Sequence, residues 1–149
     1  MSAPKVPAAA LLASPDDVEA QFYEALQRGD IERLMAIWSD DEEVACVHPG
    51  GPRIVGHAAI RASFEAIFAN GVIAVQPQSV KRVHALGCAV HHVLECIGLG
   101  TGQPPAVAWV LATNVYLKTA QGWRMVVHHA SPGTEQPGAP DSERPSTLH

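Results

Sequence analysis

"AVAWVLATNVYLK", residues 106–118, is the stretch on which the fold turns. Neighbouring side chains on a strand point to opposite faces. Val107, Trp109, Leu111, Thr113, Val115 and Leu117 therefore share one face, and Ala108, Val110, Ala112, Asn114 and Tyr116 share the other. Both sets are largely apolar, so both faces are expected to be covered. One can meet helices. The other needs a partner, and a second copy of the chain is the simplest one. The face bearing Ala108 and Ala112 is the thinner of the two. Small side chains there leave room for a cavity against the helices, with Asn114 and Tyr116 as its polar fittings.

Residues 88–97 and 123–131 read as further strands, set off by Gly87, "GLGTGQPP" (98–105) and "TAQG" (119–122). Residues 72–83 are also β-like, and Pro77 within them predicts a bulge or a sheet edge. Short links between neighbouring strands imply an antiparallel meander.

Upstream the period changes. Ser14, Pro15, Asp16 and Asp17 form a helix start, with a capping side chain, a proline at the first turn and acids at the positive end of the dipole. Val18, Phe22, Ala25 and Leu26 then fall on one face. Gly29 stops this helix and Asp30 caps a second, in which Ile31, Leu34, Met35 and Trp38 form the apolar stripe. "SDDEE" (39–43) is a solvated exit. "VACVH" (44–48) reads as a short strand, and "PGGPR" (49–53) forces a turn. Residues 56–70 form a third helix that buries Ile60, Phe64, Ile67 and Phe68 and stops at Asn70-Gly71. Three N-terminal helices followed by a strand-rich half make an α+β chain, with helices on one face of a curved antiparallel sheet.

The 149 residues suffice for one domain, expected over 14–132, with mobile tails at 1–13 and 133–149. The net charge of −5 and scattered basic residues argue against nucleic acid as a partner. No apolar run reaches membrane-spanning length, so no membrane partner is expected. Cys46, Cys88 and Cys96 lie in apolar runs without metal spacing, which reads as buried thiols in a reducing, cytoplasmic setting.

Among chemistry-bearing residues, the pairs His91-His92 and His128-His129 lie on strands, so neither pair can chelate one ion. One member of each could converge with His48, but no metal motif is present and no metal or other cofactor is expected. His84, His92 and His128 read as structural. There is no nucleophile elbow and no phosphate loop. His48, Glu95, Asn114, Tyr116 and His129 remain as a polar lining for an apolar pocket, although each is equally accommodated as a satisfied core group. His48 suits a general base, and Asn114 could donate to a carbonyl oxygen that gains charge.

The run "VEAQFYEALQRGDIERLMAIWSDDEEVACVHPGGPRIVGHAAIRASFEAIF" resembles the start of SnoaL-like proteins in the nuclear transport factor two-like superfamily. Its marks are helix-Gly-Asp-helix, Trp-Ser-Asp-Asp, the His-Pro turn and Gly-x-x-Ala-Ile opening the third helix. "ATNVYLKTAQGWRMVVHHASP" is similar to the last hairpin of that group, in particular to the association domain of type II calcium/calmodulin-dependent kinases. The resemblance covers about residues 15–132. It implies a cystatin-like cone in which the sheet wraps the helices around a pocket, usually as a dimer through the sheet.

Against the ketosteroid isomerases of this superfamily, His48 before Pro49 takes the general-base position and Asn114 the oxyanion-acid position. The oxyanion-tyrosine position carries Phe22, with Tyr23 one residue off and turned away. Against the kinase domain, Asn114 stands where a pocket arginine is expected, and Glu95 near a second. The resemblance thus implies a homodimeric pocket protein for a small apolar molecule, with His48 and Asn114 able to move a proton on a carbonyl compound. Phe22, Trp38, Phe64, Glu95, Ala112, Tyr116 and His129 would line the pocket. The alternative it implies is a non-catalytic association domain.

Overall fold

A computed structural model describes residues 12–100 and 106–134. The chain runs α1 (Pro15–Arg28), α2 (Ile31–Ile37), β1 (Ala45–Val47), β2 (Arg53–Val55), α3 (His57–Phe68), β3 (Val75–Ala85), β4 (Cys88–Leu99), β5 (Ala106–Thr119) and β6 (Gly122–Gly133). Most of both expected tails falls outside the described residues. Of the parts that do not, Gly133 belongs to β6, and the Leu12 carbonyl accepts from the Trp123 amide at 2.9 Å.

Local chemistry sets the helix ends. The Ser14 side chain accepts from the Asp17 amide at 3.1 Å, as an N-cap should. Gly29 closes α1 at φ 64°, a left-handed conformation that costs glycine little, and its amide returns to the last turn. Asp30 then caps α2 through the Arg33 amide.

The sheet has six strands in the order β2-β1-β6-β5-β4-β3 and does not close. Strands β3 to β6 form the expected antiparallel meander. The sheet as a whole is mixed, because β1 pairs with β6 in parallel, Cys46 beside His128. A parallel pair needs a long connection, and here the chain passes through α3 and the whole meander before it returns. Strand β2, which lies partly in the segment read as a turn, pairs back on β1 from Val47 opposite Arg53. The edge expected near Pro77 is β3, with its irregularity between Gln78 and Lys81.

The three helices cover one face of the sheet. Between them lies the core, in which Phe22, Leu34, Trp38, Ile60, Phe64, Tyr116 and Met125 are all at most 2% exposed. Along β5 the even-numbered residues from Val110 to Tyr116 point into this core, and the odd-numbered face points away. That outer face leaves Val107, Leu111 and Leu117 exposed.

A second irregularity decides which histidine enters the core. Tyr116 pairs with Met125, but Val115 pairs with Val127, so β6 carries one extra residue between them. The extra residue reverses the alternation of the strand. Trp123 and Met125 point inward, and after the bulge so do His128 and Ala130. His129 is exposed on the outer face. The expectation that His129 lines the interior is corrected, and His128 takes that place.

Candidate functional site

Glu19 and Tyr23 of α1, His91 and Glu95 of β4, Asn114 and Tyr116 of β5 and His128 of β6 belong to one hydrogen-bonded cluster. In α1, Glu19 and Tyr23 are four apart, so they sit one above the other on a helix face. This face adjoins the apolar stripe of Val18 and Phe22 and turns both polar side chains inward. The register brings His91 of β4 opposite Asn114 of β5, and Asn114 opposite His128 of β6. All three therefore project to the same side.

Asn114 is the hub and is fully buried. Its Nδ2 donates to Glu19 Oε2 at 3.3 Å and to the Tyr23 hydroxyl at 3.1 Å. Its Oδ1 accepts from His128 Nδ1 at 2.6 Å. Glu19 Oε2 also accepts from the Tyr116 hydroxyl at 2.6 Å and from His91 Nδ1 at 2.9 Å. Tyr23 in turn donates to Glu95 Oε2 at 2.6 Å. Two buried carboxylates are thus joined through one tyrosine and one amide.

The interior alters the acidity of these groups. Burial pushes the Glu95 carboxyl up to about 7, with the charge of Glu19 adding to the effect and the Tyr23 hydrogen bond opposing it. Burial and the charge of Glu95 push the Tyr23 hydroxyl far above its usual range. Burial lowers His128 to about 3, so it is a neutral imidazole that donates from Nδ1. Cys46 is pushed up to about 12 by burial and by Glu95, which makes its thiol inert.

His48 lies apart from this cluster. Its Nε2 is 3.1 Å from Ser63 Oγ and its ring packs edge-on against Phe64. Ser63 gives its one proton to the Ile60 carbonyl, so Nε2 is the nitrogen that donates to Ser63. Nδ1 is left as the basic nitrogen, with no hydrogen-bond partner among the described residues. Burial lowers the pKa of His48, which keeps the ring neutral near pH 7. His48 and Asn114 share no partner. The rings of Phe64, Phe22 and His128 stand in series from one to the other.

Phe22, Trp38, Phe64, Glu95, Ala112 and Tyr116 are all buried in the interior. The Trp38 indole N–H has no partner there among the described residues. Asn114 has no spare donor for an oxyanion, because both its N–H groups are engaged. Tyr23 was expected to turn away, yet it is 2% exposed and central to the cluster. Glu19, Tyr23 and His91 are the residues that apolar periodicity did not single out. The signal for the first two was their four-residue spacing beside an apolar stripe.

The cluster reaches a surface groove through Glu19 and Tyr23. A groove of about 660 Å³ runs between α1 and β3, with Glu19 and Tyr23 in one wall and Pro77 and Val80 in the other. Pro77 is the register partner of Glu95. On the opposite face of the sheet, a depression of about 410 Å³ is lined by His92, Leu94, Leu111 and Thr113 among others.

The SnoaL-like domain family matches residues 16–135. Among solved structures, the chain is 35% identical to a candidate association domain of calcium/calmodulin-dependent protein kinase type II from Thiobacillus denitrificans. That match covers 83% of this chain and 98% of the other, with a TM-score of 0.76. A candidate dehydratase of the NTF2-like family from Streptomyces avermitilis is 31% identical, over 79% and 93% of the two chains, with a TM-score of 0.70. A candidate ketosteroid isomerase from Shewanella frigidimarina is 19% identical, over 77% and 92%, with a TM-score of 0.65, and shares the fold. No curated protein matches the chain. Among the described residues, no helix is long and apolar enough to cross a membrane.

Proposed function

The chain belongs to the SnoaL-like family, and on that premise we propose that it is a homodimeric pocket protein whose cone interior binds a small, largely apolar molecule and moves a proton on it. The acid–base group is Glu95, assisted by Tyr23. The observation that carries this reading is the Tyr23–Glu95 pair, joined at 2.6 Å inside the core. A carboxyl raised to about 7 exists in both protonation states at neutral pH, which is the condition for efficient general acid–base work. The Tyr23 hydroxyl, itself far too weak an acid to ionise, commits its one proton to Glu95 and so fixes the position of the carboxyl. His48, with its free Nδ1, is a second proton acceptor at the opposite end of the interior.

The test is exchange of α-protons for deuterium on a small cyclic ketone, cyclohexanone, followed by NMR in D2O. Acceleration that is lost in Glu95→Gln and kept in His48→Gln is the expected result. Acceleration that survives Glu95→Gln, or none at all, contradicts it.

The second reading, a non-catalytic association domain, is favoured by the 35% identical relative and by the apolar outer face with exposed Val107, Leu111 and Leu117. Light scattering separates the two. A mass of twice 15.8 kDa supports a dimeric pocket protein, and a larger ring supports the association reading.

A further inference from the structure

We infer that the groove between α1 and β3 selects a protonated amine, held at Glu19; this rests on the reading of the interior as a binding site and specifies its ligand. Glu19 is only 6% exposed, yet it lines the groove. Its three hydrogen bonds from Tyr116, Asn114 and His91 all end on Oε2. Oε1 receives none from any described residue. It is also absent from the sealed, unpartnered polar atoms of the core, where the Trp38 indole N–H stands alone among the described residues. Half the accepting capacity of a buried carboxylate is therefore open toward the groove. Leaving such a group unmatched is costly, and a donor that reaches it is correspondingly favoured.

The charge around the groove fixes the sign of that donor. Arg82 is taken by Asp16 at 2.8 Å, and Arg28 by Glu24 at 3.0 Å. Glu24 is further paired with Arg33. The side-chain amide nitrogen of Gln27 is committed to the Val75 carbonyl. Among the described residues, Glu19 has no Lys or Arg partner, and its one basic neighbour is the His91 imidazole. An anionic ligand would meet Glu19 with no free cation to offset it. An ammonium would supply both the missing hydrogen bond and the missing charge. Ala20, Pro77, Val80 and the Tyr23 ring offer apolar contact to the rest of the molecule. The volume of the groove is in the range that small ligands occupy.

Three probes of one shape test this on the full chain: benzylamine, benzyl alcohol and benzoate, at pH 7 and equal ionic strength, followed by amide shifts of Glu19, Tyr23 and Val80. Benzylamine is expected to bind about tenfold or more tightly than benzyl alcohol, equivalent to about 1.4 kcal/mol, with benzoate weakest. Glu19→Gln should bring benzylamine to the level of the alcohol, since the amide can still accept from Tyr116 and Asn114. The comparison of probes on the unaltered chain stands even if that variant folds poorly. If the alcohol or benzoate matches the amine in the groove, the amine assignment is wrong and the binding site survives. If none of the three shifts these residues, both are wrong.

Discussion

Replacing Glu95 by glutamine should change how stability depends on pH more than stability itself. In the folded chain the carboxyl is raised from 4.5 to about 7, so between these values the native state holds a proton that the unfolded state has released. Stability therefore falls as pH rises through this window and levels off above it. Each unit is worth about 1.36 kcal/mol, so the full window amounts to about 3 kcal/mol, of which about 2.5 kcal/mol lies between pH 5 and 8. Burial at 4% exposure means that solvent does little to screen the effect. Glutamine keeps the shape and still accepts from the Tyr23 hydroxyl, but it has nothing to titrate. The assay is urea unfolding of both proteins at pH 5, 6, 7 and 8 and one protein concentration, because the stability of the proposed dimer would depend on concentration. His128 and His48 titrate alike in both, so they cancel in the difference. The wild-type chain should lose about 2.5 kcal/mol relative to Glu95→Gln across the range. Parallel curves would show that Glu95 carries its ordinary pKa and would remove the basis for its proposed acid–base role.

Tyr23→Phe leaves Glu95 without its donor and should cost about 1.5–3 kcal/mol by urea unfolding. The same change should push the Glu95 carboxyl higher still, since the Tyr23 hydrogen bond opposes the rise. His128, lowered to about 3, is neutral when folded while its unfolded counterpart takes up a proton below about 6.5. Stability should thus fall as pH drops from about 6.5 toward 3, and His128→Gln should flatten that limb in the same unfolding assay. Leu111→Glu places a charge on the exposed apolar face of β5. Light scattering should then report 15.8 kDa where the unaltered chain gives twice that.

Much of the fold was legible because its signals are local. Ser14, Gly29 and Asp30 mark helix ends by capping chemistry, and the alternation of residues 106–118 survives in the two faces of β5. What escaped depends on distant pairing. The parallel match of β1 with β6 joins residues from opposite ends of the domain and leaves no trace in either segment. The bulge in β6 inserts one residue and so exchanges His128 for His129, which strict alternation from Trp123 cannot foresee.

The site follows the same division. Asn114 and Tyr116 were found from strand alternation and Glu95 as a polar residue within an apolar strand, and all three are interior. Tyr23 was set aside because its neighbour Phe22 occupied the expected position. A helix that packs against both a sheet and other helices buries a broader arc than one stripe, wide enough for Glu19 and Tyr23 beside Val18 and Phe22. His48 and Asn114 were expected to act as a pair, but aromatic side chains separate them, and Asn114 spends its donors on Glu19 and Tyr23. The fold-level resemblance supplied the architecture of helices on a curved sheet and left the division of roles to the side chains.

The most direct measurement is the pKa of the Glu95 carboxyl, followed by its ¹³C shift in the intact chain and assigned by its loss in Glu95→Gln. An interior held ready for proton transfer predicts a midpoint near 7. A midpoint near the ordinary 4.5 would contradict it.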